Sequence, residues 1–193
     1  MSGNPSRLSG RTALVTGAAR NIGRAIAAQG ADLVVHYHSD ASSARETINW
    51  LESAGAQAIS VQADLRDSAA VARVFDAAEQ CSGGLDIIVA NAGLDSPMCA
   101  IVDMSDDELD RVLTANTRST FLVLREAARR VRDNGRIVTI SSSSTQDPGA
   151  GFRCLRHIQG RPTRGDPGSR QRTRGTRHHR ERGAFWCYRR RLS

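Results

Sequence analysis

Short apolar runs alternate with amphipathic segments along the chain as far as Phe152. The runs are typical of buried strands, whereas the segments between them place apolar residues at helical spacing. The pattern predicts five strands, at about 11–16, 31–37, 57–62, 85–90 and 136–140. It also predicts four helices, at about 21–29, 40–54, 67–80 and 106–132, the last of which opens with the capping box Ser105–Glu108.

Strands that alternate with helices in this way build βαβ units and a parallel sheet. Because such crossovers are right-handed, we expect an α/β fold, a Rossmann-type doubly wound parallel sheet. Its ligand crevice would lie at the carboxyl ends of the strands. We expect the sheet to be truncated after about the fifth strand, since no further alternation of strands and helices follows Phe152.

The composition changes where the pattern stops. Residues 153–193 contain 13 arginines and two acidic residues, whereas residues 1–152 contain 14 arginines and 18 acidic residues. The formal net charge of +7 therefore comes from the tail and not from a basic globular body. We predict one domain over 1–152 and a disordered, arginine-rich tail over 153–193, in which only 184–188 forms an apolar cluster.

The turn between the first predicted strand and helix carries the first candidate chemistry. Gly17 and Gly23 frame this turn, and glycine lets a backbone approach a phosphate closely at the start of a helix. Asn21 stands where a third glycine is commoner, and asparagine tolerates a left-handed backbone. The turn predicts a dinucleotide site, although glycines between a strand and a helix also serve packing alone.

Five segments in order resemble the short-chain dehydrogenase/reductase family, and together they cover about residues 8–152. They are Thr16–Gly23, Ala63-Asp64-Leu65, Asn91-Ala92-Gly93, the stretch Ala-Asn-Thr-Arg-Ser-Thr-Phe that contains Asn116, and Arg136–Ser142. Five segments in order are far more specific than any single motif. The resemblance implies hydride transfer between NADP(H) or NAD(H) and a small-molecule carbonyl or alcohol substrate, in a family that is usually homo-oligomeric.

The resemblance also implies a role for each matched residue. The cofactor-binding residues would be Gly17, Arg20, Asn21, Ile22 and Gly23 in the first turn, Asp64 and Leu65 beside the adenine, and Asn91, Ala92 and Gly93 beside the ribose. The catalytic residues would be Asn116, which holds a helix kink and a water of the proton relay, and Ser142, which hydrogen-bonds the substrate oxygen. Without the resemblance, the residues alone leave a second interpretation open for each site: a helix cap for Asp64, and a position in a solvated loop for Ser142.

The end of the second strand bears on the choice of dinucleotide. An acidic residue there binds a ribose 2′-hydroxyl and repels a 2′-phosphate. Residues 36–39 read His-Tyr-His-Ser, and Asp40 comes slightly too late. Arg20 is placed to pair with a 2′-phosphate, unless it is only a solvated turn residue. We therefore predict NADP as the cofactor and consider NAD less favoured.

Two departures from the family pattern bear on activity. The helix after Gly23 is about four residues shorter than the resemblance implies. The family's chemistry also needs a tyrosine about 13 residues after Ser142 as proton donor, and a lysine about four residues further on. Those positions hold Leu155 and Gln159, and the chain contains no lysine. We therefore expect negligible turnover from this polypeptide.

A shifted reading frame from about residue 153 explains the loss of both residues. The codons CGC TGT CTA CGG CAT ATC CAA GGC are compatible with residues 153–160, and one base later they encode Ala-Val-Tyr-Gly-Ile-Ser-Lys. The codons CAT CAC CGT GAA CGC GGT are compatible with residues 178–183, and one base later they encode the strand-like Ile-Thr-Val-Asn-Ala-Val once a G follows. Two family motifs in one alternative frame and in the right order indicate a frameshift.

Two other interpretations stay open beside the enzyme: an inactive dinucleotide-binding remnant, and an arginine-tailed nucleic-acid binder. The tail would bind phosphates non-specifically, but no repeat or aromatic pattern indicates a specific nucleic-acid partner. The cysteines and histidines at 154, 157, 178, 179 and 187 are irregularly spaced, and we predict no metal site. No apolar run is long enough to span a bilayer, so we expect a cytoplasmic protein without a membrane partner.

Overall fold

The computed structural model describes residues 8–95, 99, 101–141 and 185–189, and at 101 and 185–189 it describes the backbone alone. The strands are β1 (Thr12–Val15), β2 (Asp32–Tyr37), β3 (Ala58–Gln62), β4 (Leu85–Ala90), β5 (Val131–Ile140) and β6 (Phe185–Arg189). The helices are α1 (Asn21–Ala27), α2 (Ala41–Ser53), α3 (Ser68–Ser82), α4 (Asp106–Val112) and α5 (Ser119–Arg130). A 3-10 turn, Ile101–Asp103, precedes α4, and a π-helical segment, Leu113–Arg118, joins α4 to α5.

The strands form one sheet in the order β3-β2-β1-β4-β5-β6, in which β1 to β5 are parallel. The chain winds outward from β1 to β3 and then returns to place β4 on the other side of β1. In this register Leu14 of β1 lies opposite Val34 of β2 and Ile88 of β4. The α/β, Rossmann-type doubly wound sheet is thus confirmed, and its switch point lies between β1 and β4.

The sixth strand adds to the predicted sheet. β6 runs antiparallel to β5, with Cys187 opposite Val138. The sequence predicted no packed element in the tail beyond an apolar cluster at 184–188, and the strand forms at that cluster. It pairs with the edge of β5 that a five-stranded sheet would leave open. The predicted disorder of the rest of the tail, and the predicted domain boundary after residue 152, lie outside the described residues.

β5 begins earlier than the sequence predicted. Val131 pairs with Leu85, and the next pair joins Arg136 to Ile87, so the residues between Val131 and Arg136 bulge out of the ladder. Asn134 in this bulge has a left-handed φ of 62°. The predicted turn at 134–135 therefore exists, but it interrupts a longer strand instead of preceding a strand at 136–140.

Successive residues of β1 face opposite sides of the sheet, and each side has its own core. Leu14 packs in one cluster with Phe75 of α3 and Leu122 of α5. Ala13 and Val15 pack in the other cluster with apolar residues of α1 and α2. Helices α3 and α5 therefore cover one face of the sheet and α1 and α2 the other, while the polar groups that follow the strands collect at their ends.

The single helix predicted over 106–132 is interrupted by a wider turn. The capping box begins as predicted, because the Ser105 hydroxyl accepts the backbone N–H of Glu108. The α-helical pattern then gives way to π-helical bonding over Leu113–Arg118 and resumes as α5, which ends at Arg130. A π-helical segment accommodates an extra residue in the helix, and this one contains Asn116.

Phe75→Ala tests the larger core. Phe75 is fully buried, so the substitution is expected to lower the free energy of unfolding by about 3–5 kcal/mol. Phe121→Ala is the matched control, because Phe121 is 59% exposed and only stacks with Arg125. Its cost is expected to stay within about 0.5 kcal/mol. Urea denaturation followed by circular dichroism measures both, and equal losses would contradict the core described here.

Candidate functional site

Four parallel strands end at one edge of the sheet, and polar residues follow each of them. Thr16 directly follows β1, His38 follows β2, Asp64 comes two residues after β3, and Asn91 follows β4. Because these strands are paired in parallel, their carboxyl ends lie at the same edge. The structure therefore brings together the first turn, Asp64 and the segment 91–93, as the sequence predicted.

A hydroxyl and an amide join the ends of β1 and β4. The Thr16 hydroxyl donates to the carbonyl of Val89 at 3.3 Å. The same oxygen accepts the backbone N–H groups of Asn91 at 2.9 Å and Ala92 at 3.0 Å. The Asn91 side-chain amide donates to the carbonyls of Thr16 at 2.9 Å and Gly17 at 3.3 Å. The segment that begins at Asn91 is thus a structural support of the first turn.

The two glycines of the first turn are required by close contacts. Gly17 has a φ of +65°, and a Cβ on it would lie 3.0 Å from the Cα of Ala92. A Cβ on Gly23 would collide with the carbonyl oxygen of Gly17 and would lie 2.9 Å from the amide nitrogen of Asn91. Asn21 has a left-handed φ of 49°, which its residue type tolerates. The backbone of this turn is therefore packed too tightly for side chains at either glycine.

The helix after this turn is short. α1 covers 7 residues, Asn21–Ala27, whereas the sequence predicted about 21–29. Ile22 in its first turn is 61% exposed. An exposed apolar side chain next to the glycine turn offers surface that a bound ligand can cover.

His36 of β2 is buried and links the first turn to the end of β3. Its Nδ1 accepts the backbone N–H of Gly17 at 3.2 Å, and its Nε2 donates to the carbonyl of Ala63 at 3.1 Å. These partners require a neutral ring with its proton on Nε2. Burial is the main reason that the pKa of His36 falls from 6.5 to about 4. Sequence reasoning considered His36 only as a non-acidic residue, although a histidine within an apolar strand was a signal for a buried polar link.

Arg20, the residue before α1, pairs with the carboxylate of Asp40 at 3.2 Å. Asp40 is the N-cap of α2, where its carboxylate accepts the backbone N–H of Ser43 at 3.0 Å. This hydrogen bond is the first cause of the lowered pKa of Asp40. Asp40 does not end β2, as the sequence indicated, yet its side chain reaches Arg20 across the turn. The arginine is therefore both exposed and paired.

Asp64 is held by its neighbour Arg66. The Arg66 Nε donates to Oδ1 of Asp64 at 2.9 Å and its Nη2 donates to Oδ2 at 2.6 Å. These side-chain bonds are the main reason that the pKa of Asp64 falls to about 2. Asp67, not Asp64, caps α3, so Asp64 is not the helix cap that the sequence left open. Leu65, its predicted companion beside the adenine, is buried in the core and leaves Asp64 as the accessible member of the pair.

Asn116 clamps the loop that follows β4. Its Oδ1 accepts the backbone N–H of Leu94 at 2.6 Å, and its Nδ2 donates to the carbonyl of the same residue at 2.9 Å. Gly93 lies against this clamp, because a Cβ on it would be 3.3 Å from Asn116 Oδ1. The irregular helix around Asn116 agrees with the kink that the resemblance implies, while its catalytic role stays a prediction.

Ser142, Leu155 and Gln159 lie outside the described residues. The structure follows the chain through β5 to Ser141, and Thr139 pairs with Ala90, so β5 ends at the same edge as β4. Within the described ranges, no group of three or more histidine, cysteine or acidic side chains is arranged to hold a metal ion. No helix in the described ranges is long and apolar enough to cross a membrane.

Comparison with known proteins indicates one family. The family model of short chain dehydrogenases matches residues 11–154. Over 147 residues the chain is 42% identical to the short chain dehydrogenase claC of Passalora fulva and 44% identical to the versicolorin reductase stcU of Emericella nidulans. Each of these alignments covers 74% of this chain and 55% of the relative. The chain thus spans about half the length of the curated relatives it matches.

A solved structure gives the same result. A short chain dehydrogenase from Burkholderia cenocepacia, crystallised in complex with NADP, superposes on this chain with a TM-score of 0.73 and 37% identity. The superposition covers 79% of this chain and 64% of that chain.

His36 is expected to make the stability of the fold depend on pH. Its folded-state pKa of about 4 lies below the ordinary value of 6.5, so between these values the unfolded chain binds a proton that the folded chain does not. The contribution is present in full above about pH 6.5 and is lost as the pH falls toward about 4, by up to about 3 kcal/mol. Urea denaturation at several pH values across this window measures the loss.

Two variants isolate this effect. His36→Asn removes the titrating ring but offers an amide oxygen to the Gly17 N–H, so the pH dependence between the two values should flatten. His38→Asn replaces an exposed histidine whose charge is a lesser cause of the lowered pKa of His36 than burial, so most of the slope should remain. An unchanged slope in His36→Asn would show that another group causes the dependence.

Proposed function

The chain belongs to the short chain dehydrogenase family of oxidoreductases, and from that premise we propose that the domain over residues 1–152 binds NADP(H) at the carboxyl edge of its sheet. The observation that carries this proposal is the tight packing of the first turn against the end of β4. Because neither Gly17 nor Gly23 has room for a side chain, a ligand at this turn meets bare backbone at these two positions, while Arg20 and Ile22 present exposed side chains between them. A pyrophosphate needs such an approach to backbone N–H groups.

The residues at this edge fit the parts of that cofactor. Those that would hold it are Gly17, Arg20, Asn21, Ile22 and Gly23 along the pyrophosphate and 2′-phosphate, Asp64 and Leu65 at the adenine, and Asn91, Ala92 and Gly93 at the ribose. Arg20 supplies a cation for the 2′-phosphate, and no acidic residue ends β2. The NADP complex of the Burkholderia cenocepacia relative supports NADP over NAD. When bound, NADPH supplies the hydride that reduces a carbonyl group.

The substrate side of the site would involve Asn116 and Ser142. Asn116 would support a water of the proton relay, and its clamp on Leu94 holds the loop after β4 in place. Ser142 would donate a hydrogen bond to the oxygen of a carbonyl or alcohol substrate. Homo-oligomeric assembly and a cytoplasmic location stay predictions from the sequence.

As written, the polypeptide lacks the residues that would move the proton. Leu155 and Gln159 stand where the family's chemistry needs tyrosine and lysine, and the chain contains no lysine. We therefore propose that it binds the cofactor but has negligible turnover, since loss of a general acid alone costs about 10²–10⁴-fold in rate. The family match ends at residue 154, and this supports a shift of reading frame near residue 153.

Gly23→Ala tests the cofactor site. The new Cβ would collide with the Gly17 carbonyl oxygen, so we expect NADPH affinity to fall at least about tenfold, or about 1.4 kcal/mol. Gly10→Ala is the control for a glycine-to-alanine change outside the turn: Gly10 has a positive φ of +73°, which strains the backbone of the variant, but a Cβ there meets nothing within 4 Å. NADPH fluorescence titration measures both affinities. A folded Gly23→Ala chain that binds NADPH as tightly as the parent would contradict the proposed cradle.

The frame shift is tested on the gene and on the enzyme. Nucleotide sequencing across codons 148–165 and peptide masses from the expressed chain establish the frame. A gene with its frame restored after Phe152 should encode the Tyr-x-x-x-Lys motif and reduce a panel of ketones and quinones with NADPH at least about 10²-fold faster than the chain as written. The restored gene with its new tyrosine codon changed to phenylalanine is the control. Turnover by the unrestored chain as fast as that of an active restored chain would refute the proposed inactivity.

A further inference from the structure

One contact at the proposed cofactor site is not explained by cofactor binding. Asp40 already pairs with Arg20, the arginine that would bind the 2′-phosphate. The Arg20 Nη1 lies 3.2 Å from Oδ2 of Asp40. We propose that Asp40 acts as an internal anion that competes with the 2′-phosphate of NADP(H) for Arg20, and so sets how strongly this chain prefers NADP(H) over NAD(H). This inference rests on the proposed function, because it assumes that a dinucleotide lies along this edge.

Helix α2 holds Asp40 in place independently of Arg20. Its Oδ1 accepts the backbone N–H of Ser43 and the hydroxyl of Ser42, both at 3.0 Å. Its Oδ2 accepts the hydroxyl of Ser43 at 2.8 Å. These hydrogen bonds favour the ionised carboxylate, and the pKa of Asp40 lies below its ordinary value. A fixed negative charge therefore stands beside Arg20 at neutral pH.

Charges on the neighbouring elements do not replace Arg20 as a partner for the phosphate. Arg66, after β3, is bound to both carboxylate oxygens of Asp64. His36 in β2 is neutral because of its burial, and His38 lies 3.8 Å from the carboxylate of Asp64. Arg20, before α1, and Arg66, after β3, are thus both matched by carboxylates. An arriving phosphate meets paired charges and not an open cationic pocket.

Competition and repulsion act in the same direction on NADP(H). Its 2′-phosphate must displace Asp40 from Arg20 or share the guanidinium with it, and the two anions repel each other. NAD(H) carries an uncharged 2′-hydroxyl at that place, which can donate a hydrogen bond to a carboxylate. Asp40 therefore disfavours NADP(H) and does not disfavour NAD(H). Because exposed ion pairs are weak, the effect should be about three- to tenfold in affinity and not an all-or-none change.

The test compares Asp40→Asn with the parent in the full 193-residue chain, by fluorescence titration with NADPH and with NADH. Asparagine caps a helix as well as aspartate does, so α2 keeps its cap through the amide oxygen, and the variant loses the charge and the acceptor that Oδ2 offers to the Ser43 hydroxyl. Displacement by adenosine 2′,5′-bisphosphate and by 5′-AMP isolates the contribution of the 2′-phosphate. Asp106→Asn is the matched control for net charge, because it removes an exposed carboxylate from the first turn of α4.

We expect Asp40→Asn to bind NADPH and the bisphosphate about three- to tenfold more tightly than the parent, and NADH and 5′-AMP no more tightly. Asp106→Asn should leave all four affinities unchanged. In an Arg20→Gln background the gain from Asp40→Asn should shrink, because the competition requires the guanidinium. Melting curves of each variant establish that α2 has kept its structure.

Weaker NADPH binding by Asp40→Asn would overturn the inference, since Asp40 would then orient Arg20 toward the phosphate. An equal gain for NADPH and NADH would also overturn it, as a general effect of charge. NADPH binding that Asp40→Asn leaves unchanged overturns this inference alone. Failure of the parent chain to bind either nucleotide overturns the proposed function together with it.

Discussion

The junction between the ends of β1 and β4 is the constraint on which the site depends. Past this point the two strands no longer pair as a regular ladder. The Thr16 hydroxyl, at the end of β1, instead donates to the Val89 carbonyl of β4 and accepts the backbone N–H groups of Asn91 and Ala92, which follow β4. The absent Cβ of Gly17 lets the two segments come into van der Waals contact. All other candidate residues are placed relative to this junction, because it joins the two halves of the sheet where the chain reverses its winding direction.

Charge along this edge is balanced within the protein. Arg20 is matched by Asp40 and Arg66 by Asp64, while the buried His36 is neutral. Attraction of an anion therefore depends on backbone N–H groups in the glycine turn more than on net positive charge.

The elements that build the edge could be predicted because local rules determine them. β4 lies at the predicted 85–90, between a glycine pair and an asparagine, and Asp67 caps α3 as its residue type favours. The departures depend on contacts between distant residues, about which periodicity carries no information. β6 pairs across a long separation in sequence, and His36 meets Gly17 through a buried contact between two strands. The reach of Asp40 to Arg20 likewise depends on how the turns before α1 and α2 approach each other.

The π-helical segment Leu113–Arg118 is required for the contact between Asn116 and Leu94 but not for the packing of α4 and α5. A helix that closes its bonds over five residues instead of four is equivalent to a regular helix with one residue inserted. Deletion of a single residue there would restore regular α-helical hydrogen bonding, while the buried sides of α4 and α5 would keep their positions. Asn116 would no longer bond to Leu94, and the packing of the core would change little. A deletion of one residue there would thus remove the contact of Asn116 with Leu94 without unfolding the domain.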